Sequence, residues 1–200
     1  MQAGLFSSIP QVLDLPQADI SYYQNFIADH SVIYHQLLND LQWRQDTLRM
    51  YGKSVLIPRM NAWYGDKGAA YTYSGLNMSP IPWTDSLLAL KQQVEQQLNT
   101  RFNSVLANYY RDGADSVAWH SDDEAELGHQ PIIASLSFGA TRRFSLRQRQ
   151  QQTTPVHIDL EGGSLLVMAG STQQYWHHQI PKTAKPVAGR INLTFRRVTS

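Results

Sequence analysis

From Arg101 onward the hydrophobic period of the chain changes to two, and this limits the possible folds more than any other feature of the sequence. Apolar and polar residues alternate in short runs: Ser104 to Tyr110, Ile132 to Phe138, Phe144 to Arg149, Val156 to Leu160, Ser164 to Met168 and Arg190 to Val198, with Gly, Asp and Pro between them. Successive side chains of a strand point to opposite faces, so this alternation predicts strands with one face on a core. Gly139-Ala140-Thr141 and Gly162-Gly163 supply turns between neighbouring runs. Many short strands at close spacing fold into a sandwich or barrel.

The first hundred residues have a different pattern. Asp29 can cap a helix in which Ile33, Tyr34, Leu37, Leu38 and Leu41 recur at helical spacing, and a second helix follows Pro82 and Thr84 with Leu87, Leu90, Val94 and Leu98 on one stripe. Both stripes call for a larger surface to pack against. The expectation is an α+β fold in one domain spanning residues 1–200, with a helical part over 1–100 buttressing a β core over 101–200. A chain of 200 residues can bury a core without covalent staples.

With no cysteine, any metal must be held by His, Asp or Glu, which restricts the chemistry to hard or borderline ions. No stretch has the length and apolarity of a membrane span or secretory leader, which gives the expectation of a cytoplasmic protein without membrane association, with monomer as the default state. The net charge of +1 conceals an uneven distribution: residues 1–126 carry 8 basic and 14 acidic side chains, residues 127–200 carry 9 and 2. A basic C-terminal part is compatible with a polyanionic partner.

In the segment Trp119-His120-Ser121-Asp122, His120 and Asp122 stand two apart, so an extended backbone presents an imidazole and a carboxylate to one point. A third ligand can come from the His177-His178 pair. Two His and one carboxylate make the facial triad of iron(II) sites, which leaves adjacent positions open for a cosubstrate and oxygen. In Arg190-Ile191-Asn192-Leu193-Thr194-Phe195-Arg196, period two puts Arg190, Asn192, Thr194 and Arg196 on one face and the three apolar residues on the other. Alone, this run would read as an edge strand with a solvated face. Beside a metal site, its two guanidiniums suit a small dicarboxylate, and Asn108 and Tyr110 add neutral donors.

Taken together, Asn-Tyr-Tyr-Arg-Asp-Gly (108–113), His-Ser-Asp-Asp-Glu (120–124), Ser-Leu-Ser-Phe-Gly-Ala (135–140), His-Gln-Ile-Pro-Lys (178–182) and Arg-Ile-Asn-Leu-Thr-Phe-Arg (190–196) resemble the AlkB dioxygenases in order and spacing. Tyr64-Gly65-Asp66 and Tyr71-Thr72-Tyr73-Ser74-Gly75 extend the likeness upstream, so that it covers roughly Tyr51 to Val198. The resemblance implies a double-stranded β-helix (jelly roll) and a nucleotide-recognition role within residues 1–100. It implies His120, Asp122 and His178 as iron(II) ligands, His178 being chosen because the family places this ligand three residues before the proline, here Pro181.

By the same likeness Asn108, Tyr110 and Arg190 hold the distal carboxylate of 2-oxoglutarate, and Asn192 and Arg196 lie near its chelating end. The implied reaction uses O2 and 2-oxoglutarate to hydroxylate an N-methyl group on a nucleobase of single- or double-stranded DNA, or of RNA, with release of formaldehyde. The base would leave its stack, with Tyr73 stacking on it and Tyr71, Asp123 and Glu124 facing its polar edge. Tyr51 occupies the place of a finger that, in duplex-acting members, fills the gap left by the extruded base. Arg59 is a candidate phosphate contact or, alternatively, part of a structural ion pair. A competing reading keeps the oxygenase chemistry and assigns it to a protein, lipid or small molecule, because triad and clamp define the reaction and leave the substrate open.

Overall fold

The computed structural model describes residues 9–50, 53–69, 71–73, 76–150 and 154–199, and excludes the side chains of 48–50, 53, 71–73 and 76–78. Strands β1 (Gln11–Val12) and β2 (Asp19–Tyr23) precede helix α1 (His30–Asp40). There follow β3 (Thr47–Met50), β4 (Lys53–Leu56), β5 (Met60–Gly65), β6 (Tyr71–Tyr73), β7 (Leu76–Met78) and helix α2 (Asp85–Leu98). The second half supplies β8 (Ser104–Tyr110), β9 (Val117–His120), β10 (Ile133–Gly139), β11 (Arg142–Gln148), β12 (Val156–Leu160) and β13 (Leu165–Ala169). The short helix α3 (Thr172–Tyr175) then leads into β14 (Trp176–Ile180), and β15 (Arg190–Arg196) comes last.

Among the described residues the strands form a large antiparallel sheet in the order β1-β2-β13-β10-β15-β8-β5 and a smaller one in the order β12-β11-β14-β9. The alternation seen in the sequence sorts side chains between two cores. Val105 and Ala107 of β8, Leu136 and Phe138 of β10, and Ile191, Leu193 and Phe195 of β15 pack with Leu37 of α1 and Leu87, Leu90 and Val94 of α2. Leu106 and Tyr110 of β8, Ile133 of β10 and Leu166 and Met168 of β13 instead meet Phe144 and Leu146 of β11 and Trp176 and Ile180 of β14 between the sheets. The helices thus cover the outer face of the large sheet, and its inner face is left for the site.

Three differences from the sequence reading have physical causes. The first hundred residues are not only helical: β1, β2 and β5 complete the edges of the large sheet, so residue 100 does not divide it. These strands were missed because Met-Asn-Ala-Trp-Tyr-Gly of β5 is buried at almost every position and shows no alternation. Second, β15 is an interior strand, paired from Arg190↔Tyr110 to Arg196↔Ser104 on one side and with β10 on the other, and all seven of its residues are buried. Its polar face therefore looks into the protein. Third, Asp29 makes no side-chain bond to α1, whereas the Thr84 hydroxyl accepts the Leu87 N–H at 3.3 Å as a cap should.

One turn requires glycine. Gly139 has φ +83°, and a Cβ there would lie 2.5 Å from the Gly189 carbonyl oxygen and 2.8 Å from the Tyr34 ring. The close approach packs α1 onto the end of β10 where Gly139 pairs with Arg190.

Candidate metal centre and diacid pocket

Strand β9 ends at His120, and β14 places His178 directly across from it. Two residues past the strand end, Asp122 turns back to the same point. Ligand atoms of His120, Asp122 and His178 lie within 4.8 Å of one another, and His120 Nε2 stands 3.8 Å from Asp122 Oδ1. His177, on the opposite face of β14, pairs across the strands with Arg147 and is not in this group.

Hydrogen bonds fix the ligand atoms. His120 Nδ1 lies 2.8 Å from the Ala118 carbonyl oxygen, which holds the proton on that nitrogen and turns Nε2 inward. Asp122 Oδ2 accepts from Arg196 Nη2 at 2.9 Å, while Oδ1 is buried without a hydrogen-bond partner. Phe144 stacks on the His178 ring with centroids 5.3 Å apart. Burial alone would raise the Asp122 pKa, but the Arg196 guanidinium and the two imidazoles draw it down to about 2. Burial and the neighbouring His120 push His178 down to about 3, and burial also lowers His120. At neutral pH the cluster is one carboxylate and two neutral imidazoles with exposed lone pairs, a donor set that fits a divalent borderline metal such as iron(II).

Beside these residues lies a cleft lined by Leu106, Asn108, Tyr110, Ile180, Arg190 and Asn192. Arg190 lies in its wall, 1% exposed, and donates from Nη2 to Ser137 Oγ at 2.9 Å. Its Nε and Nη1 are buried and have no hydrogen-bond partner. Tyr110 faces it, with the guanidinium carbon 5.4 Å from the ring centroid, a contact that supports the charge without supplying a carboxylate. Burial pulls the Arg190 pKa down to about 10 against the opposing effect of the Tyr110 phenol. A buried cation with unmade bonds calls for an anion, and a carboxylate matches its fork.

The two arginines of β15 are not equivalent. Arg196 serves the metal carboxylate and Arg190 the far end of the cleft, so they do not bracket one ligand symmetrically. Asn192 has its amide engaged within the wall: Nδ2 donates to Ser135 Oγ at 2.7 Å and to the Leu136 carbonyl at 3.1 Å, and Oδ1 accepts from Thr194 Oγ1 at 2.9 Å. It shapes the cleft more than it offers donors to it. Asn108 Oδ1 accepts from Arg59 Nε at 2.8 Å. Arg59, 5% exposed, lines the same cleft and also donates to the Ser116 carbonyl at 3.3 Å. Arg59 thus sits in the wall of the cleft, with the Asn108 amide and the Ser116 carbonyl among its partners.

A family model for the 2OG-Fe(II) oxygenase superfamily matches residues 19–196. The Bos taurus alpha-ketoglutarate-dependent dioxygenase alkB homolog 3 is 43% identical over 198 residues, which cover 94% of this chain and 64% of that protein. The Homo sapiens DNA oxidative demethylase ALKBH2 is 38% identical over 181 residues, covering 86% of this chain and 69% of its own length. This chain is an AlkB-family member. A solved structure of OsALKBH1 overlays with a TM-score of 0.66 at 20% identity, covering 94% of this chain and 100% of that one, and the shared fold is the double-stranded β-helix. The chain spans about three fifths of the length of the mammalian alkB homolog 3 relatives it matches.

In this AlkB-family chain the positions expected to face a base are more scattered than the metal and diacid positions. Asp123 sits at the surface, its Oδ2 accepting from Arg149 Nη1 at 2.6 Å. Glu124 is half-buried at the start of a single 3-10 turn, Ala125–Leu127. Tyr71 and Tyr73 fall in β6, paired with Met78 and Leu76 of β7, and their side chains lie outside the described residues. Tyr51 lies outside the described residues altogether.

Sequence reasoning missed Ser135 and Ser137, which support Asn192 and Arg190 from β10. Their signal was present: two hydroxyls two residues apart on one face of an otherwise apolar strand. Arg142 was also missed. It is 3% exposed and donates to the carbonyls of Asp112, Asp115 and Pro181 at 2.8–2.9 Å, tying together two loops.

Proposed function

We propose that this chain oxidatively dealkylates nucleobases in DNA, coupling 2-oxoglutarate decarboxylation to hydroxylation of an N-methyl group that then leaves as formaldehyde. The observation that carries the reading is Arg190: a fully buried guanidinium with two nitrogens unpaired opens into the cleft that holds the His120, Asp122 and His178 donors. A metal centre alone would not need it. A metal centre that works with a small diacid does.

When bound there, iron(II) with 2-oxoglutarate supplies the activation of O2 and the oxidising power for C–H hydroxylation. The protein's own part is positioning and charge. His120 and His178 stay neutral and offer ring nitrogens, and Arg196 keeps Asp122 ionised and oriented. Arg190 binds the distal carboxylate of the diacid, with Tyr110 and Asn108 setting its angle. Leu106, Ile180, Met168 and Phe144 make the remaining wall apolar, which limits water around the reacting atoms.

The nucleobase substrate is supported by ALKBH2 relatives described as DNA oxidative demethylases. Glu124, half-buried beside the metal segment, is suited to accept from an exocyclic amine, and Asp123 can do so after exchanging its bond to Arg149. The reading keeps the enzyme a cytoplasmic monomer. Its test is turnover of 1-methyladenine and 3-methylcytosine in single- and double-stranded oligonucleotides, followed as formaldehyde and succinate. Both products are expected in equal amounts. Succinate without formaldehyde would move the substrate to a protein, lipid or small molecule, and neither product would overturn the enzymatic reading.

A further inference from the structure

We propose that Gln173, on the four-residue helix α3, is a positioning residue for the metal's carboxylate ligand. The proposal rests on the metal reading above. Asp122 does not belong to a strand: β9 ends at His120, so no ladder holds the backbone of the ligand. A ligand on an unpaired segment must have its backbone fixed by something else.

The segment from Ser121 to Asp123 is tied at each residue to α3 or to the adjoining residue of β14, Asp123 through an arginine. Ser121 Oγ donates to the Trp176 carbonyl at 3.0 Å. The Asp122 N–H donates to Gln173 Oε1 at 2.9 Å, a bond buried from solvent. Arg149 Nη1 bridges Asp123 Oδ2 at 2.6 Å and the Gln173 carbonyl at 3.3 Å. Of these, the Gln173 bond is the one made to the ligand residue itself. Gln173 is 2% exposed and its orientation is fixed, since its Nε2 is turned toward Met168 Sδ at 3.5 Å.

The bond also completes the restraint of Asp122. Arg196 holds Oδ2, Gln173 holds the backbone N–H, and Oδ1 alone remains, 3.8 Å from His120 Nε2. The helix is itself anchored at a distance. Thr172 Oγ1 accepts from the Asp19 N–H at 2.9 Å, and Trp176 Nε1 donates to the Pro16 carbonyl at 2.9 Å, so the first segment of the large sheet supports the platform on which the ligand rests. Partners of this kind, one bond removed from a metal ligand, are worth about tenfold to a hundredfold in metal affinity.

The test is Mn(II) titration of the chelator-stripped full chain, read as loss of the free Mn(II) resonance in electron paramagnetic resonance. Gln173→Met keeps the length and removes the acceptor, and it should weaken Mn(II) binding by about tenfold to a hundredfold. Gln173→Glu keeps an acceptor at the same reach and should bind at least as tightly as the parent chain. Unchanged affinity in Gln173→Met overturns the proposal, as does an equal loss in Gln173→Glu, which would make side-chain volume the cause. If Gln173→Met fails to give a cooperative thermal transition, Gln173→Asn replaces it. Its acceptor is withdrawn by one methylene in a polar side chain, the same weakening is expected, and parent-like affinity overturns the proposal. Asp122→Ala separates the two levels: if it binds Mn(II) as the parent does, the metal reading itself has failed.

Discussion

Arg190 and His178 sit in the same cleft and make opposite demands on the fold. Arg190 is charged, buried and short of partners, so it costs the ligand-free protein desolvation energy that a bound carboxylate would repay. Arg190→Met should therefore raise KM for 2-oxoglutarate by roughly thirtyfold or more, the effect of about 2 kcal/mol lost at a buried charge pair. The same variant should keep or raise the urea midpoint of the ligand-free protein. A fall in the midpoint with KM unchanged would make Arg190 a structural residue. His178 is neutral and buried, with its pKa lowered to about 3. The unfolded chain binds a proton on this imidazole below about 6.5, the folded chain only near 3, so between these values the unfolded state holds more protons. The sign follows: stability of the metal-stripped protein falls as pH drops from about 6.5 toward 3. His178→Gln should flatten this slope in urea melts between pH 7 and 5; His177→Ala should reduce it less, since burial and the neighbouring Arg149 and Arg147 hold that imidazole below its ordinary value too, and should leave succinate production close to parental values.

At the scale of elements, helices α1 and α2 do their work on the face of the large sheet away from the cleft. Leu37 of α1 is completely buried there. Leu37→Ala should cost about 2–5 kcal/mol of unfolding free energy while KM for 2-oxoglutarate stays within about twofold, because no pocket residue loses a neighbour. Denaturant melts set beside steady-state kinetics measure both halves of that expectation. The same two-faced sheet explains what the sequence revealed. Strands with one polar face, such as β15 and β8, announced themselves by alternation, and the ligand pair two residues apart followed from extended geometry. Strand β5 did not, being buried on both faces, and the two-residue β1 is too short to carry a period. The burial of Arg59 was not legible, because a lone arginine in sequence looks the same in a pocket wall as on a surface. Gln173 had no signal at all, since its partner is a backbone N–H 51 residues away in the chain.

Over the whole molecule, the C-terminal excess of basic residues is divided between two uses. Arg190 and Arg196 are buried in the wall of the cleft and Arg142 is buried against loop carbonyls, whereas Arg143 and Arg149 are exposed. Part of the charge that hinted at a polyanion is thus buried in the protein and does not form a surface patch. The opposite end of the chain carries an apolar surface: β3 and β4 pair from Thr47↔Leu56 to Met50↔Lys53, and Val55 and Leu56 are 46% and 56% exposed. Exposed apolar side chains on a hairpin suit an element that enters a base stack, and Tyr51 follows β3 directly in the sequence. Extruding a base from a duplex costs a few kcal/mol of unstacking and unpairing, whereas a base in a single strand has lost its partner already. A wedge that fills the vacated space offsets that cost only in the duplex. Tyr51→Ala should therefore slow repair of methylated duplex DNA by about tenfold, some 1.4 kcal/mol, and change the single-strand rate by less than about twofold. Formaldehyde release from the same lesion in both contexts measures the ratio, and equal losses on the two substrates would remove the wedge role from Tyr51.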